Sequence, residues 1–261
     1  MKILFIGGDK RMSYAADTLS AMHDVQRLGL GDYPLPEGKF GAVVLPLPLN
    51  KEPIDFNAIT RYADNHTVVL AGGENSALTD ICARNGFPLV NYFADETLTL
   101  KNAALTAEAA CTLLAQSTEG ALLGSKTLIT GYGRIARLLA YRLAANGSVV
   151  TIAARRAEQR TAAVLDGFSS IPTEEIADAL TDVDFIANTV PFALFTENAL
   201  AKAKSGAVFI ELATLPDQPS KPLAESRGIN YIYAPGLPGK HSPKAAGEAI
   251  AETIQEIISR I

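Results

Sequence analysis

Short apolar runs rich in β-branched residues alternate along the chain with segments whose apolar positions recur at helical spacing. "KILFIGG" (2–8) reads as a buried strand, followed by a helix from about Ser13 to Met22. "GAVVLPLPL" (41–49) predicts a second strand, "DFNAITRYADN" (55–65) a helix and "TVVLAGG" (67–73) a further strand. A helix over "SALTDICARNG" closes at Gly86, and "PLVNYF" (88–93) returns to the sheet. Such alternation argues for βα units around a mainly parallel sheet.

Residues 97–118, "TLTLKNAALTAEAACTLLAQST", break the rhythm with a long alanine-rich helical pattern that suits a connector between domains. "GSKTLITGYG" then restarts the alternation, with a strand at 126–130, a helix from about Arg134 to Asn146 and a strand at 148–154. Later strands are predicted at 184–190, 207–213 and 230–234. The chain closes on a helical pattern carrying Ala246, Ile250, Ile254, Ile257 and Ile258, with Ser242–Pro243 as its start. The pattern therefore predicts two α/β domains of the doubly wound, parallel-sheet type, at 1–100 and 119–240, joined by the long helix.

Composition narrows the partners. With 261 residues, 48% of them hydrophobic, the chain can build a substantial core in one large or two ordinary domains. A formal net charge of −5 speaks against nucleic acid as the partner. Cys82 and Cys111 belong to no CxxC or Cys/His cluster, so neither a metal site nor a disulfide framework is expected. "MKILFIGGDKR" is interrupted before it reaches signal-peptide length, and no apolar segment approaches the ~20 residues of a membrane span. A soluble, cytoplasmic protein is the expectation.

The chemistry starts at "LITGYGRIARLLA" (128–140), where Gly131, Gly133 and Ala136 occupy the G-x-G-x-x-G/A positions. Gly131 permits the sharp strand-to-helix turn, Gly133 lets the backbone approach a pyrophosphate, and Ala136 allows close helix–strand packing. Tyr132, Arg134 and Ile135 complete the turn and count with it as cofactor-binding positions. A strand before it, a helix after it and a second strand at βαβ spacing raise an otherwise weak pattern.

An NAD site usually places Asp or Glu at the end of that second strand, on the ribose hydroxyls. Here Ala154 takes the position and Arg155 and Arg156 follow. Two guanidiniums without a carboxylate suit a 2′-phosphate, so NADP(H) is expected over NAD(H). Asn188, Thr189, Val190 and Pro191, with Glu211, Leu212 and Ala213 after the next strand, should line the nicotinamide side.

Five segments together carry a family resemblance: "GGDKR" (7–11), "ITGYGRIA" (129–136), "AARR" (153–156), "NTVP" (188–191) and "APGLPGKHSPKAAG" (234–247). In this order they resemble the A subunits of dipicolinate synthase, the last segment being the most specific. The resemblance implies a two-domain fold similar to D-2-hydroxyacid dehydrogenases, with helix 243–261 returning to the N-terminal domain. It implies oxidation of a dihydrodipicolinate-type precursor to dipicolinate (pyridine-2,6-dicarboxylate), in spore formation. It also implies a second, flavoprotein-like B subunit, and an assembly of several copies is expected beside it. Around Lys240-His241 this chain departs from the family pattern.

Such a reaction needs a hydride acceptor, cations or N–H donors for two carboxylates, and a proton acceptor, with the substrate expected between the domains. Gly8 can offer a backbone N–H and Arg11 a bidentate contact; Asn102 and Thr106 share a face of the connector helix. Pro235, Gly236, Leu237 and Pro238 fix a tight loop whose N–H groups suggest a second anion cradle. Lys240 is the candidate cation there and His241 the candidate proton acceptor, each with a solvated loop role as its alternative. His23 and His66 read as surface turn residues.

Two other functions stay open. A D-2-hydroxyacid dehydrogenase or related reductase would want a histidine in the nicotinamide domain, and none lies between 124 and 236. A non-catalytic dinucleotide-binding regulatory subunit is the third reading, because no acid/base pair stands out.

Overall fold

The computed structural model describes residues 1–29, 35–49, 53–214 and 221–261. The chain divides into two compact units, residues 1–102 with 239–261 and residues 103–238. Helix Glu96–Gln116 (α4) runs from one into the other.

The first unit contains β1 (Lys2–Ile6), α1 (Lys10–Leu19), β2 (Asp24–Leu28), β3 (Ala42–Val44), α2 (Ile59–Tyr62), β4 (Val68–Ala71), α3 (Ser76–Asn85) and β5 (Leu89–Asn91). All its strand pairs are parallel, in the order β2-β1-β3-β4-β5. Alternate residues of β1 feed the two faces: Ile3 and Phe5 join one core cluster, Leu4 and Ile6 the other. That is the period-2 geometry of a sheet covered on both sides. The last helix, α11 (Pro243–Ile258), covers the first face with Ile250 and Ile254 and packs on α1. The two helices meet so closely that a Cβ on Gly247 would stand 2.5 Å from the Arg11 carbonyl oxygen.

The second unit contains β6 (Lys126–Thr130), α5 (Arg134–Ala145), β7 (Val149–Ala153), α6 (Ala157–Leu165), β8 (Ser169–Ile171), α7 (Ile176–Ala179), β9 (Phe185–Asn188), α8 (Glu197–Leu200), β10 (Val208–Glu211), α9 (Lys221–Ser226) and β11 (Asn230–Tyr233). Its parallel sheet has the order β11-β10-β9-β6-β7-β8. Relabelled from β6, this is the six-stranded arrangement 6-5-4-1-2-3 of dinucleotide-binding folds. Leu128 and Ile129 of β6 enter opposite cores, as do Phe209 and Ile210 of β10.

Several local expectations need correction. The first helix begins at Lys10 rather than Ser13, because the Asp9 side chain caps it by accepting from the Arg11 N–H at 3.0 Å. It ends at Leu19. The strand expected over 41–49 pairs only through Ala42–Val44 before "LPLP" leaves the ladder. The tight loop expected around 235–242 contains a helical turn, α10 (Leu237–His241). His23 is half-buried rather than a surface turn residue, with Nε2 2.6 Å from Oε1 of Gln255 on α11. Strands β2 and β8 add an edge to each sheet.

Candidate functional site

In doubly wound sheets, ligands bind at the carboxyl ends of the strands where the strand order reverses. In the second unit that point lies between β6 and β9. The Gly131 turn follows the first of these strands and Asn188–Pro191 the second, so the two segments chosen from the sequence flank one crevice.

Gly131 has φ +78°, a left-handed conformation that side chains rarely adopt. Its missing Cβ is also required by contact: one there would stand 2.5 Å from Cγ1 of Val190 and 3.2 Å from Oγ1 of Thr189. Gly133 is the N-cap of α5, and a Cβ on it would meet nothing within 4 Å. Open space beside the N–H groups at the start of a twelve-residue helix is what a diphosphate needs. Ala136 is fully buried against the strands. Arg134 is exposed and Ile135 half-buried. Tyr132 turns its ring into the core, edge-on to Phe168, and donates its hydroxyl to Asp166 at 2.6 Å. Burial and that hydrogen bond raise its pKa well above the usual phenol value.

At the end of β7, Arg155 and Arg156 are exposed and line a cavity of about 520 Å³ with Gly131, Gln159, Thr173 and Val190. Phe192, Ala193 and Leu194 close its other wall. The Arg155 guanidinium lies 5.4 Å from the Phe192 ring centroid, a cation–π distance. Arg160 donates to the carbonyls of Ala154 and Arg155, both at 2.8 Å, and so shapes the loop. Ala154 itself is a buried core residue. Phe192, Gln159, Thr173 and Arg160 were not among the sequence candidates.

Beneath the crevice lies a buried polar network. Asn188 is 1% exposed and Glu211 fully buried. The Asn188 amide donates to both carboxylate oxygens of Glu211, at 2.8 and 3.0 Å, and its carbonyl accepts from the Thr130 hydroxyl at 2.5 Å. Glu211 also accepts the Ala213 N–H at 2.9 Å. Burial pushes the Glu211 pKa up to about 7, against the pull of those donors. Thr189 closes the arrangement by donating its hydroxyl to the Thr130 carbonyl at 2.7 Å. Leu212 and Ala213 are buried at the same strand end, and Pro191 is exposed.

In the first unit the order reverses between β1 and β3, and the "GGDKR" turn follows β1. Gly8 has φ +101°, and a Cβ on it would stand 2.3 Å from Cγ of Met12. Arg11 was expected to offer a bidentate contact to a substrate carboxylate, but its fork is already engaged. Nε and Nη2 bind the two oxygens of Asp9 at 3.0 and 2.9 Å, and Nη2 donates to the Leu47 carbonyl at 2.6 Å. Arg11 is only 6% exposed, so the Asp9 carboxylate two residues earlier is what makes its burial tolerable. Gly239 packs on this pair: its Cβ would stand 2.9 Å from Arg11 Nε. Lys240 and His241 are exposed on α10, whereas Leu237 and Pro238 are buried. Pro235 is half-buried and Gly236 exposed. On α4, Asn102 is half-buried and Thr106 buried. Among the described residues no helix is long and apolar enough to cross a membrane.

Comparisons with known proteins agree with this geometry. Residues 104–214 match the NAD binding domain of D-isomer specific 2-hydroxyacid dehydrogenases. The A subunit of dipicolinate synthase from Bacillus subtilis (strain 168) is 29% identical over 196 residues, covering 75% of this chain and 66% of that relative's length. The crystal structure of the corresponding subunit from Bacillus halodurans superposes with a TM-score of 0.85 at 25% identity, covering 99% of this chain and 97% of that one. That of the Bacillus subtilis counterpart gives 0.82 at 23%, covering 100% and 96%. The chain is thus a homologue of the dipicolinate synthase A subunit. It has the two parallel-sheet α/β domains of the D-2-hydroxyacid dehydrogenase-like, Rossmann type. These matches support an oxidoreductase with a dinucleotide cofactor.

Proposed function

We propose, from this oxidoreductase fold and its likeness to the dipicolinate synthase A subunit, that the chain oxidises a dihydrodipicolinate-type precursor to dipicolinate with NADP⁺. The reading includes a role in spore formation and, for a partner, a flavoprotein-like B subunit. The observation that carries the cofactor choice is the Arg155–Arg156 pair. It lines the cavity at the end of β7, where an NAD-type site presents a carboxylate.

The residues fit the cofactor. The open face of Gly133 and the α5 N-terminus would hold the diphosphate, and Arg155 and Arg156 the 2′-phosphate. Asn188, Thr189, Val190, Leu212 and Ala213 line the nicotinamide side. When bound, NADP⁺ would supply the hydride acceptor; loss of a hydride and a proton from the dihydropyridine substrate would leave an aromatic ring. Aromatisation supplies driving force, so the protein's task is to position the ring and receive that proton.

Because Asp9 already neutralises Arg11, the exposed Lys240 is the cation of this reading for a substrate carboxylate. Pro235, Leu237 and Pro238 fix the turn around Gly236. His241, exposed beside Lys240, is the proton acceptor of this reading. Its replacement by Ala should lower kcat by about tenfold to a hundredfold, and unchanged turnover would remove it from the mechanism.

The test is incubation of the purified chain with the precursor and NADP⁺, with and without the B subunit, read by the absorbance of the aromatic product. Product that depends on NADP⁺ supports the proposal. No product in either arm overturns it.

A further inference from the structure

The Thr130–Asn188–Glu211 network lies at the carboxyl ends of β6, β9 and β10, directly under the turn that borders the cofactor crevice. Each hydrogen bond in it has one sense. The Asn188 carbonyl faces two donors, the Thr130 hydroxyl at 2.5 Å and the Val190 N–H at 3.3 Å. Its amide faces acceptors: both Glu211 oxygens, and the Val190 carbonyl at 3.2 Å. Glu211 receives only donors, from Asn188 and from the Ala213 N–H. A carboxylate satisfies that arrangement, whereas a protonated carboxyl would bring a hydroxyl that must itself find an acceptor.

The consequence reaches the cofactor through the backbone. Asn188 holds the Thr189–Val190 turn, and that turn is packed against Gly131 closely enough to exclude a Cβ. We propose that Glu211 is a positioning residue of the dinucleotide site: its carboxylate fixes the Asn188 carboxamide, and with it the Asn188–Val190 turn against the glycine turn. The inference rests on the dinucleotide-binding reading of that crevice. It adds that only the ionised form of Glu211 holds the site in its binding arrangement.

Because Glu211 is fully buried and its pKa lies near 7, this requirement falls within the working pH range. The titratable groups facing it come from the neighbouring strand: Tyr233 is its register partner on β11, and Tyr231 on the same strand is pushed up to about 12 by burial and then by Glu211. Tyr231 does not change charge between pH 6 and 8. From β9 it meets the uncharged Asn188, its register partner there, which in turn accepts from Thr130 of β6.

The test measures dissociation constants of NADP⁺ and NAD⁺ for the full chain and for Glu211→Gln between pH 6 and 8. NAD⁺ is included because none of its groups titrates in that interval, unlike the 2′-phosphate of NADP⁺. Wild-type affinity for both nucleotides should rise on the order of tenfold from pH 6 to pH 8. Glu211→Gln should bind more weakly at pH 8, with no pH dependence toward NAD⁺. If the variant does not fold, calorimetry of the wild type in buffers of different ionisation enthalpy reads the same linkage, as proton release on NAD⁺ binding near pH 6.5. Equal pH profiles in wild type and variant, or a flat wild-type profile without proton release, would overturn this inference alone. Failure of the wild type to bind either nucleotide would overturn the dinucleotide reading with it.

Discussion

The guanidinium of Arg155 stands 5.4 Å from the ring centroid of Phe192, so a cation from the end of β7 meets an aromatic ring from the loop after β9 across one cavity. This contact gives the cavity a charged wall and an apolar wall, which are the surfaces a phosphorylated adenosine requires. Phe192 is 57% exposed despite its size, which leaves its ring accessible for stacking with a base.

Replacing Arg155 and Arg156 together by Ala should therefore weaken NADP⁺ binding by about a hundredfold, from two lost charge-assisted contacts, and leave NAD⁺ affinity within about threefold. Titration calorimetry with both nucleotides checks the ratio. An equal loss for both would assign the pair to general electrostatics.

The two glycines of the turn should separate stability from binding. Gly131→Ala meets both a left-handed backbone and the Val190 side chain, and should cost roughly 2–4 kcal/mol in thermal unfolding. Gly133→Ala has free space and should cost within about 1 kcal/mol, as an N-cap change. Its effect should appear in nucleotide affinity, lowered on the order of tenfold by a methyl group where the diphosphate sits.

Much of this was legible in advance, and the gaps have physical causes. The strands that were read, such as "TLIT" and "VFIE", are buried on both faces and so appear as continuous apolar runs. The unread ones, β2 ("DVQRL") and β8 ("SSI"), are edge strands with polar sequences and no periodic signal. The glycine turn announced itself because its spacing is local. Phe192, Gln159 and Thr173 gave no such sign, since only the folded chain brings their loops to one cavity. Glu211 was expected near the nicotinamide, but 23 residues separate it from Asn188, and no local pattern reports their pairing. Arg11 was read as available to a substrate because the sequence does not show which acceptor an arginine takes. The D-x-R spacing, with Asp9 also capping α1, was the usable clue.

Glu211 also makes a prediction for the protein without nucleotide. Its pKa rises from an unfolded value near 4.5 to about 7 on folding, so the native state binds the extra proton between those values. Its stabilising contribution is full below about pH 4.5 and is lost as pH rises through 7. Relative to Glu211→Gln, the wild type should lose on the order of 3 kcal/mol between pH 4.5 and pH 8. Thermal unfolding across that range reads the difference, and parallel curves for the two proteins would contradict it.

The Arg11–Asp9 pair should behave as a structural element of the first unit. Arg11→Met removes the guanidinium from the capping carboxylate and the donor from the Leu47 carbonyl, and should destabilise by about 2–4 kcal/mol. Adding Asp9→Asn, which keeps a cap, should recover part of that loss. Denaturant unfolding of the single and double variants tests this, with no recovery as the contrary result.

The central claim is that this chain couples formation of an aromatic dicarboxylate to reduction of NADP⁺. The most direct measurement follows both chromophores in one reaction, the aromatic product and the reduced nicotinamide, starting from the dihydrodipicolinate-type precursor and the purified chain with its B subunit. The account predicts that they appear in equal amounts, and that both disappear when Arg155 and Arg156 are replaced at limiting NADP⁺. Aromatic product formed without any reduced nicotinamide would contradict it.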